Sequence, residues 1–255
     1  MGGHEFSRRR GNEALRDYML GLLDSPRPRI CLLPTASGDP SEQIAAFGRS
    51  LGDLACETSH LSLFRLETQR VSVREHLLGQ DMIYVGGGSM LNLLAVWQTH
   101  GIDRILREAW ERGTLLCGQS AGAMCWFEYG ITRSAGTADP RPGLGMLAGS
   151  LCVHYHQDPV RRRAFREAVG FGFPPGYALD DHAGLLFRGT ELAEAVSARS
   201  EAGAWRVEPA DGARSHEIPL EARALADPRP AIDEPTAELV ELRHTRAART
   251  ARAPR

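Results

Sequence analysis

Short apolar segments alternate with longer amphipathic segments along the first half of the chain. The amphipathic segments repeat apolar residues every three or four positions, which predicts helices at residues 13–23, 42–54, 71–78, 90–99 and 103–112. The apolar runs between them predict strands at residues 29–34, 58–64, 81–85 and 114–117. Strands that alternate with helices pair in parallel, so this order predicts an α/β fold. Its mostly parallel sheet should carry helices on both faces.

The second half of the chain has shorter apolar runs. Residues 130–149 are rich in Gly, Pro and Thr and predict a loop. Beyond it the pattern predicts a helix at 158–168 and strands at 151–155, 176–179, 184–187 and 204–208. Few large apolar residues follow position 217. We therefore predict one domain over residues 1–216 and a poorly ordered tail rich in Ala, Arg and Pro over residues 217–255.

Composition and charge exclude several classes of protein. The chain has 255 residues, 42% of them apolar and 24% charged, which is typical of a globular protein with one large core. The net charge of −2 gives no general attraction to nucleic acid or to an anionic membrane. No apolar run approaches the roughly 18 residues that cross a bilayer, and the first residues contain no apolar signal core. A cytoplasmic location is the expectation.

Two residue types narrow the chemistry further. Every basic residue is arginine, which excludes a lysine Schiff base, a Walker-A lysine and a Ser–Lys dyad. The five cysteines are scattered and form no C-x-x-C pair, so they predict buried thiols in a reducing compartment. No closely spaced cluster of His, Cys and Asp has the geometry of metal ligands. We expect neither a metal nor a cofactor.

The most informative stretch is residues 114–129, TLLCGQSAGAMCWFEY. Residues 118–122 fit the pattern G-x-S-x-G, between a predicted strand and a predicted helix, which is typical of a nucleophile elbow. This context predicts that Ser120 is a nucleophile and that the backbone N–H of Ala121 faces a developing oxyanion. The alternative is a turn of small residues that lets a helix pack closely on a strand.

A serine nucleophile needs a base and a carboxylate that orients the base. His154 ends an apolar strand that a parallel sheet would place beside the elbow, so it is the predicted base. The other histidines considered after the elbow are His156, His182 and those of the tail. For the carboxylate we predict Glu128, eight residues after Ser120. Four other acids remain alternatives: Asp139, Asp158, Asp180 and Asp181.

Four segments together resemble the peptidase E family. They are LLPTASGD at 32–39, YVGGGSM at 84–90, CGQSAGA at 117–123 and CVHYH at 152–156. The family consists of serine peptidases on a flavodoxin-like, class I glutamine amidotransferase-like fold, and cyanophycinase is a more distant relative. The resemblance extends from about residue 6 to about residue 189. It implies that Ser120 is the nucleophile, His154 the family histidine, and Gly88 and Ala121 the backbone oxyanion donors.

One segment departs from that pattern. Peptidase E itself has an aspartate in a T-x-D or T-D-S segment after the elbow helix, whereas this chain has Thr132, Arg133 and Ser134 there. Part of the family uses a Ser–His–Glu triad, which is compatible with Glu128. With arginine in this place, a preference for N-terminal aspartate is not implied.

Taken together, the sequence predicts a serine peptidase that acts on short peptides, as a monomer or homodimer, with neither nucleic acid nor a membrane as partner. A cyanophycinase-like hydrolase and a non-catalytic small-molecule-binding member of the same fold are the alternatives.

Overall fold

The computed structural model describes residues 1–3, 13–68 and 72–225, and a four-stranded parallel sheet organises the first half of the chain. Its strands are β1 (Arg29–Leu33), β2 (Glu57–His60), β3 (Met82–Val85) and β4 (Leu115–Gly118), in the order β2-β1-β3-β4. The helices of this half are α1 (Glu13–Leu20), α2 (Ser41–Leu51), α3 (Val73–Leu78), α4 (Met90–His100) and α5 (Ile102–Glu111). Every strand pair in this sheet is parallel, which confirms the predicted arrangement.

Alternate residues of the central strands pack into two separate apolar clusters. In β1, Ile30 and Leu32 pack with Phe47 of α2. Cys31 and Leu33 point the other way and belong to the cluster that contains Trp97 of α4. Successive strand residues face opposite sides of a sheet, so β1 is buried on both faces. This double burial explains why it appears in the sequence as a continuous apolar run.

A six-stranded mixed sheet follows the short helix α6 (Ala121–Met124). Its strands are β5 (Phe127–Thr132), β6 (Asp139–Pro142), β7 (Leu147–Val153), β8 (Gly176–Leu179), β11 (Ala204–Ala210) and β12 (Arg214–Pro219), in the order β12-β11-β8-β7-β5-β6. The last helix within residues 72–225 is α7 (Pro159–Gly170). A third sheet contains β9 (Ala183–Arg188), β10 (Glu191–Ser197) and β13 (Ala222–Ala224). The parallel pairs of β7 with β5 and with β8 place the carboxyl ends of these strands at one edge.

The structure differs from the prediction at several points: β10 and β13 were not predicted, and the strand predicted at 58–64 ends at His60. The predicted loop 130–149 contains half of β5, all of β6 and the start of β7, because Gly130, Pro140 and Pro142 lie in paired strands. The helix after the elbow has only four residues. The domain boundary predicted at residue 216 lies inside β12, which pairs along its length with β11. Residues 226–255 of the predicted tail lie outside the described part of the chain.

Within the described residues, no helix combines the length and the apolar character needed to cross a membrane.

Candidate active site

Ser120 lies on a sharp turn between β4 and α6. Its backbone has φ 51° and ψ −114°, which non-glycine residues rarely adopt, so the surrounding chain must hold it there. The flanking glycines permit this turn. A Cβ atom on Gly118 would lie 2.0 Å from the carbonyl oxygen of Gly122, and a Cβ on Gly122 would lie 2.3 Å from the carbonyl oxygen of Val85. The strand, turn and helix are those that the G-x-S-x-G pattern predicts.

His154 directly follows β7, and its side chain reaches the hydroxyl of Ser120. The His154 Nε2 atom lies 2.8 Å from Ser120 Oγ, which is a hydrogen-bond distance. The backbone of His154 is also left-handed, with φ 56°. Two residues with uncommon backbone conformations therefore meet at this edge of the sheets, and such residues cluster at functional sites.

A buried carboxylate contacts the other nitrogen of this imidazole. Asp181 follows β8, its Oδ1 atom lies 2.5 Å from His154 Nδ1, and its side chain is 10% exposed. An ionised carboxylate only accepts hydrogen bonds, so Nδ1 carries the proton. In the neutral imidazole Nε2 is then unprotonated and accepts the hydrogen bond donated by the Ser120 hydroxyl. The three side chains form a continuous row of donors and acceptors that can take the serine proton.

Glu128 lies elsewhere, and the prediction that it contacts the histidine is wrong. The elbow helix ends at Met124, so Glu128 belongs to β5 and not to a helix. Its side chain is exposed, and its carboxylate accepts a hydrogen bond of 2.8 Å from the backbone N–H of Gly149. Asp181, one of the sequence alternatives, is the acid that contacts His154. The available signal was its place directly after an apolar strand, where parallel sheets gather functional residues.

We expect Glu128→Gln to change activity little. The amide oxygen of glutamine can still accept the hydrogen bond from Gly149, and no reacting group contacts this side chain. The ratio kcat/KM should stay within about twofold of wild type, and the free energy of unfolding within about 0.5 kcal/mol, the usual range for surface substitutions. Steady-state kinetics and a denaturant melt measure both. A loss of kcat of about 10³-fold would return the orienting role to Glu128.

The predicted oxyanion donors lie beside the elbow. A Cβ atom on Gly87 would lie 3.3 Å from Ser120 Cβ, which places the glycine turn after β3 against the serine. Gly88 has φ 143°, and a Cβ there would lie 2.2 Å from the carbonyl oxygen of Ala36. Ala121 is the first residue of α6, where backbone N–H groups lack helical partners. No described residue accepts a hydrogen bond from the N–H of Gly88 or Ala121. Both remain the predicted donors.

A second His–Asp pair lies next to the first. His156, the alternative base, has its Nδ1 2.9 Å from Asp180 Oδ1, and its ring packs against Trp205 at 4.5 Å between centroids. Asp180 also accepts a hydrogen bond from the backbone N–H of Gly203. Among the described residues His156 makes no hydrogen bond to Ser120. The geometry therefore favours His154 as the base. Asp180 instead connects His156 to the backbone at Gly203.

The two remaining acids have other partners. Asp139 contacts Thr137 and Arg141 at the edge of β6. Asp158 accepts a hydrogen bond from the backbone N–H of Arg161 and so caps the first turn of α7. Asp158 donates a backbone hydrogen bond of 2.7 Å to the carbonyl oxygen of His154, but among the described residues neither carboxylate is bonded to the His154 imidazole. Of the five acids considered from the sequence, Asp181 is therefore the one whose carboxylate contacts the His154 imidazole among the described residues.

The cysteines near the elbow are poor competitors for the role of nucleophile. Burial raises the pKa of the Cys117 thiol to about 12. Burial also raises the pKa of the Cys125 thiol well above its ordinary value. A thiol reacts as its thiolate, so both groups stay protonated and unreactive near neutral pH. The prediction of buried thiols holds for Cys31, Cys125 and Cys152, whereas Cys56 and Cys117 are only partly buried.

A cavity of about 1170 Å³ lies among residues of α1, β4 and β9. Its walls include Cys117 and Gly118 of the elbow strand but neither Ser120 nor His154. The cavity therefore borders the strand that carries the serine and does not enclose the serine hydroxyl. Among the described residues, no group of three or more His, Cys, Asp or Glu side chains could hold a metal ion.

Comparison with known proteins decides the family. The model of peptidase family S51 matches residues 1–195. The chain belongs to peptidase family S51. Its relatives include an uncharacterized peptidase of Bacillus subtilis, YgaJ, which is 44% identical over 226 residues, covering 88% of this chain and 97% of YgaJ. The match confirms the resemblance to peptidase E and identifies a serine-type peptidase.

Solved structures support the same fold. A peptidase from an acI-B1 Actinobacterium aligns with a TM-score of 0.63 at 18% identity, covering 87% of this chain and 92% of its own. A Listeria monocytogenes EGD-e protein provisionally named a peptidase E aligns with a TM-score of 0.55 at 19% identity, covering 71% of this chain and 92% of its own. At these identities the similarity establishes a shared α/β fold and not a shared substrate.

Proposed function

We propose that this S51 peptidase hydrolyses short peptides through an acyl-enzyme on Ser120, with His154 as general base and Asp181 as the acid that orients it. The observation that carries the proposal is the row of hydrogen bonds. Ser120 Oγ lies 2.8 Å from His154 Nε2, and His154 Nδ1 lies 2.5 Å from Asp181 Oδ1. These contacts join a nucleophile, a base and an orienting carboxylate in the order that serine hydrolysis requires.

In the first half of the reaction the serine oxygen attacks the carbonyl carbon of the scissile peptide bond. The hydroxyl proton passes to His154 Nε2, and the carbonyl oxygen becomes an oxyanion that the N–H groups of Gly88 and Ala121 face. The imidazolium formed on His154 is stabilised by the Asp181 carboxylate. Nε2 then gives its proton to the leaving amine as the C–N bond breaks. An ester between Ser120 and the acyl group remains.

Water completes the cycle by the reverse use of the same groups. His154 Nε2 takes a proton from a water molecule, whose oxygen attacks the ester carbonyl. The second tetrahedral intermediate collapses when Nε2 returns that proton to Ser120 Oγ and the carboxylic acid product leaves. Each half-reaction returns the histidine to its neutral form. The chemistry needs no group beyond the three side chains and the backbone donors.

The substrate class rests on the family resemblance, and one residue limits it. Arg133 stands where peptidase E is expected to have an aspartate, and in this structure its guanidinium forms an ion pair of 3.3 Å with Asp158. The segment that characterises peptidase E is therefore changed in this chain. We propose a dipeptidase or aminopeptidase-like activity with no built-in preference for N-terminal aspartate.

A labelling experiment combined with a dipeptide library tests this function. A fluorophosphonate probe should label the wild-type chain at Ser120, identified by mass spectrometry of the labelled peptide, and should fail to label Ser120→Ala. The enzyme should hydrolyse some dipeptides of the library, and dipeptides with N-terminal aspartate should not be the main substrates. Absence of both labelling and hydrolysis would favour the non-catalytic binding member of the fold. Hydrolysis confined to cyanophycin would favour the cyanophycinase-like alternative.

A further inference from the structure

Residues 1–3, here called the N-terminal segment, lie between the elbow and the loop that carries Asp181. The Met1 nitrogen donates a hydrogen bond of 2.9 Å to the carbonyl oxygen of Gly118, and the Ser120 backbone N–H donates one of 3.1 Å to the carbonyl oxygen of Met1. The N–H of Gly2 donates to the carbonyl oxygen of Ala183 at 3.0 Å. The segment thus joins the strand before the nucleophile to the chain that follows the orienting acid.

Both glycines of the segment are buried at contacts that leave no room for a side chain. A Cβ atom on Gly2 would lie 1.9 Å from the carbonyl oxygen of Asp180. A Cβ on Gly3 would lie 2.6 Å from His154 Cε1 and 2.7 Å from Asp181 Oδ1. Real Cβ atoms do not approach other atoms this closely, so an alanine at either position must displace its neighbours. At Gly3 those neighbours are the imidazole and the carboxylate of the proposed triad.

We propose that the N-terminal segment holds the His154–Asp181 pair in its productive orientation and that Gly3 is a positioning residue of the active site; this inference rests on the proposed function. The Cε1 atom lies between the two nitrogens of the imidazole. A backbone packed against it restricts rotation of the ring away from Ser120 on one side and from Asp181 on the other.

The position of His154 explains why such a contact matters. The residue lies on a loop after β7 with φ 56°, and its side chain is 26% exposed. Regular hydrogen bonding of the sheet therefore does not fix the ring. Misplacement of a catalytic group by about 1 Å costs about 10²-fold in rate. The added methyl group of Gly3→Ala would impose a shift of this order.

The test compares Gly3→Ala with Gly48→Ala, its matched control. Gly48 lies in α2, and a Cβ atom there would have no neighbour within 4 Å. Gly3→Ala should lower kcat and the rate of fluorophosphonate labelling by about 10²-fold, with little change in KM. Its melting temperature should stay close to that of wild type. Gly48→Ala should match wild type in both rates.

A spectroscopic readout separates this inference from the proposed function. The proton between His154 Nδ1 and Asp181 should give a low-field proton resonance in wild type and Gly48→Ala, and Gly3→Ala should lose or shift it. This measurement needs no turnover. Two results together would support the positioning role and overturn the proposed function. The wild-type protein would neither hydrolyse peptides nor react with the probe, and Gly3→Ala would lose the resonance that wild type shows.

A second variant, Gly2→Ala, separates loss of folding from loss of positioning. Its methyl group would lie against the backbone carbonyl oxygen of Asp180 and not against the imidazole, so it should lower the melting temperature more than Gly3→Ala does. All measurements are made well below the melting temperature of each variant. An unchanged resonance, labelling rate and kcat in folded Gly3→Ala would overturn the positioning role. The positioning role would also be overturned if Gly3→Ala had a lowered melting temperature but its rates per folded molecule equalled those of wild type.

Discussion

Ser120→Ala should abolish peptide hydrolysis, with kcat lowered by about 10⁶-fold, the scale of loss when the nucleophile of a Ser–His–Asp hydrolase is removed. The reason is chemical, because alanine has no oxygen with which to form the acyl-enzyme. His154 and Asp181 would remain in place, but His154 would have no proton to accept from residue 120. The activity that remains should come from the backbone oxyanion donors and substrate binding alone.

The fold should survive this change. Ser120 already has φ 51°, and alanine at the same position meets the same backbone constraint without adding volume. Ser200→Ala is a matched control, since Ser200 is exposed and its hydroxyl contacts only Glu201 among the described residues. Rates of dipeptide hydrolysis, probe labelling and thermal melts should be measured for both variants. Activity of Ser120→Ala within tenfold of wild type would contradict the assignment of the nucleophile.

The elbow could be predicted because its determinants are local in sequence. Gly118, Ser120 and Gly122 lie within one turn, and the contacts that require the glycines involve the elbow itself and the end of the neighbouring strand β3. His154 could be predicted because an apolar strand ends there, and the parallel sheet brings strand ends together. Both inferences used periodicity and turn chemistry, which the sequence displays directly.

The orienting acid could not be predicted in the same way. Its identity depends on which strand lies beside β7, and the observed order places β8 on one side and β5 on the other. Asp181 follows β8 and reaches His154, whereas Glu128 lies within β5 and faces Gly149. The sequence leaves this order open, because it arises from contacts between segments far apart in the chain. The expected continuation of the elbow helix also placed Glu128 on the wrong kind of element.

The strands within 130–149 were missed for a related reason. Gly130 weakens a strand on propensity alone, yet β5 needs it, since a Cβ there would lie 2.8 Å from Met124 Cβ and from Met90 Sδ. Pro140 and Pro142 lie in β6, an edge strand, where proline is tolerated. The pairing of β5 with β6 and β7 supplies the stability that local preference lacks. Tertiary context overrides propensity here.

Asp181→Asn should lower kcat by about 10⁴-fold, with little change in KM or melting temperature. The substitution keeps the shape of the side chain but replaces one acceptor oxygen with an NH₂ group. If that group donates to His154 Nδ1, the imidazole must carry its proton on Nε2, and Nε2 then cannot accept the proton of Ser120. The imidazolium of the transition state also loses the negative charge that stabilises it.

Glu128→Gln is the matched control for Asp181→Asn, because it makes the same change from acid to amide at an exposed carboxylate that contacts Gly149. The two variants should differ by about three to four orders of magnitude in kcat and in the rate of probe labelling, since both rates depend on removal of the serine proton. Near-equal rates in the two variants would show that His154 is oriented without the Asp181 charge. The 2.5 Å contact argues against that result. It places Asp181 Oδ1 as the acceptor for the proton on His154 Nδ1, which leaves Nε2 free to accept the serine proton.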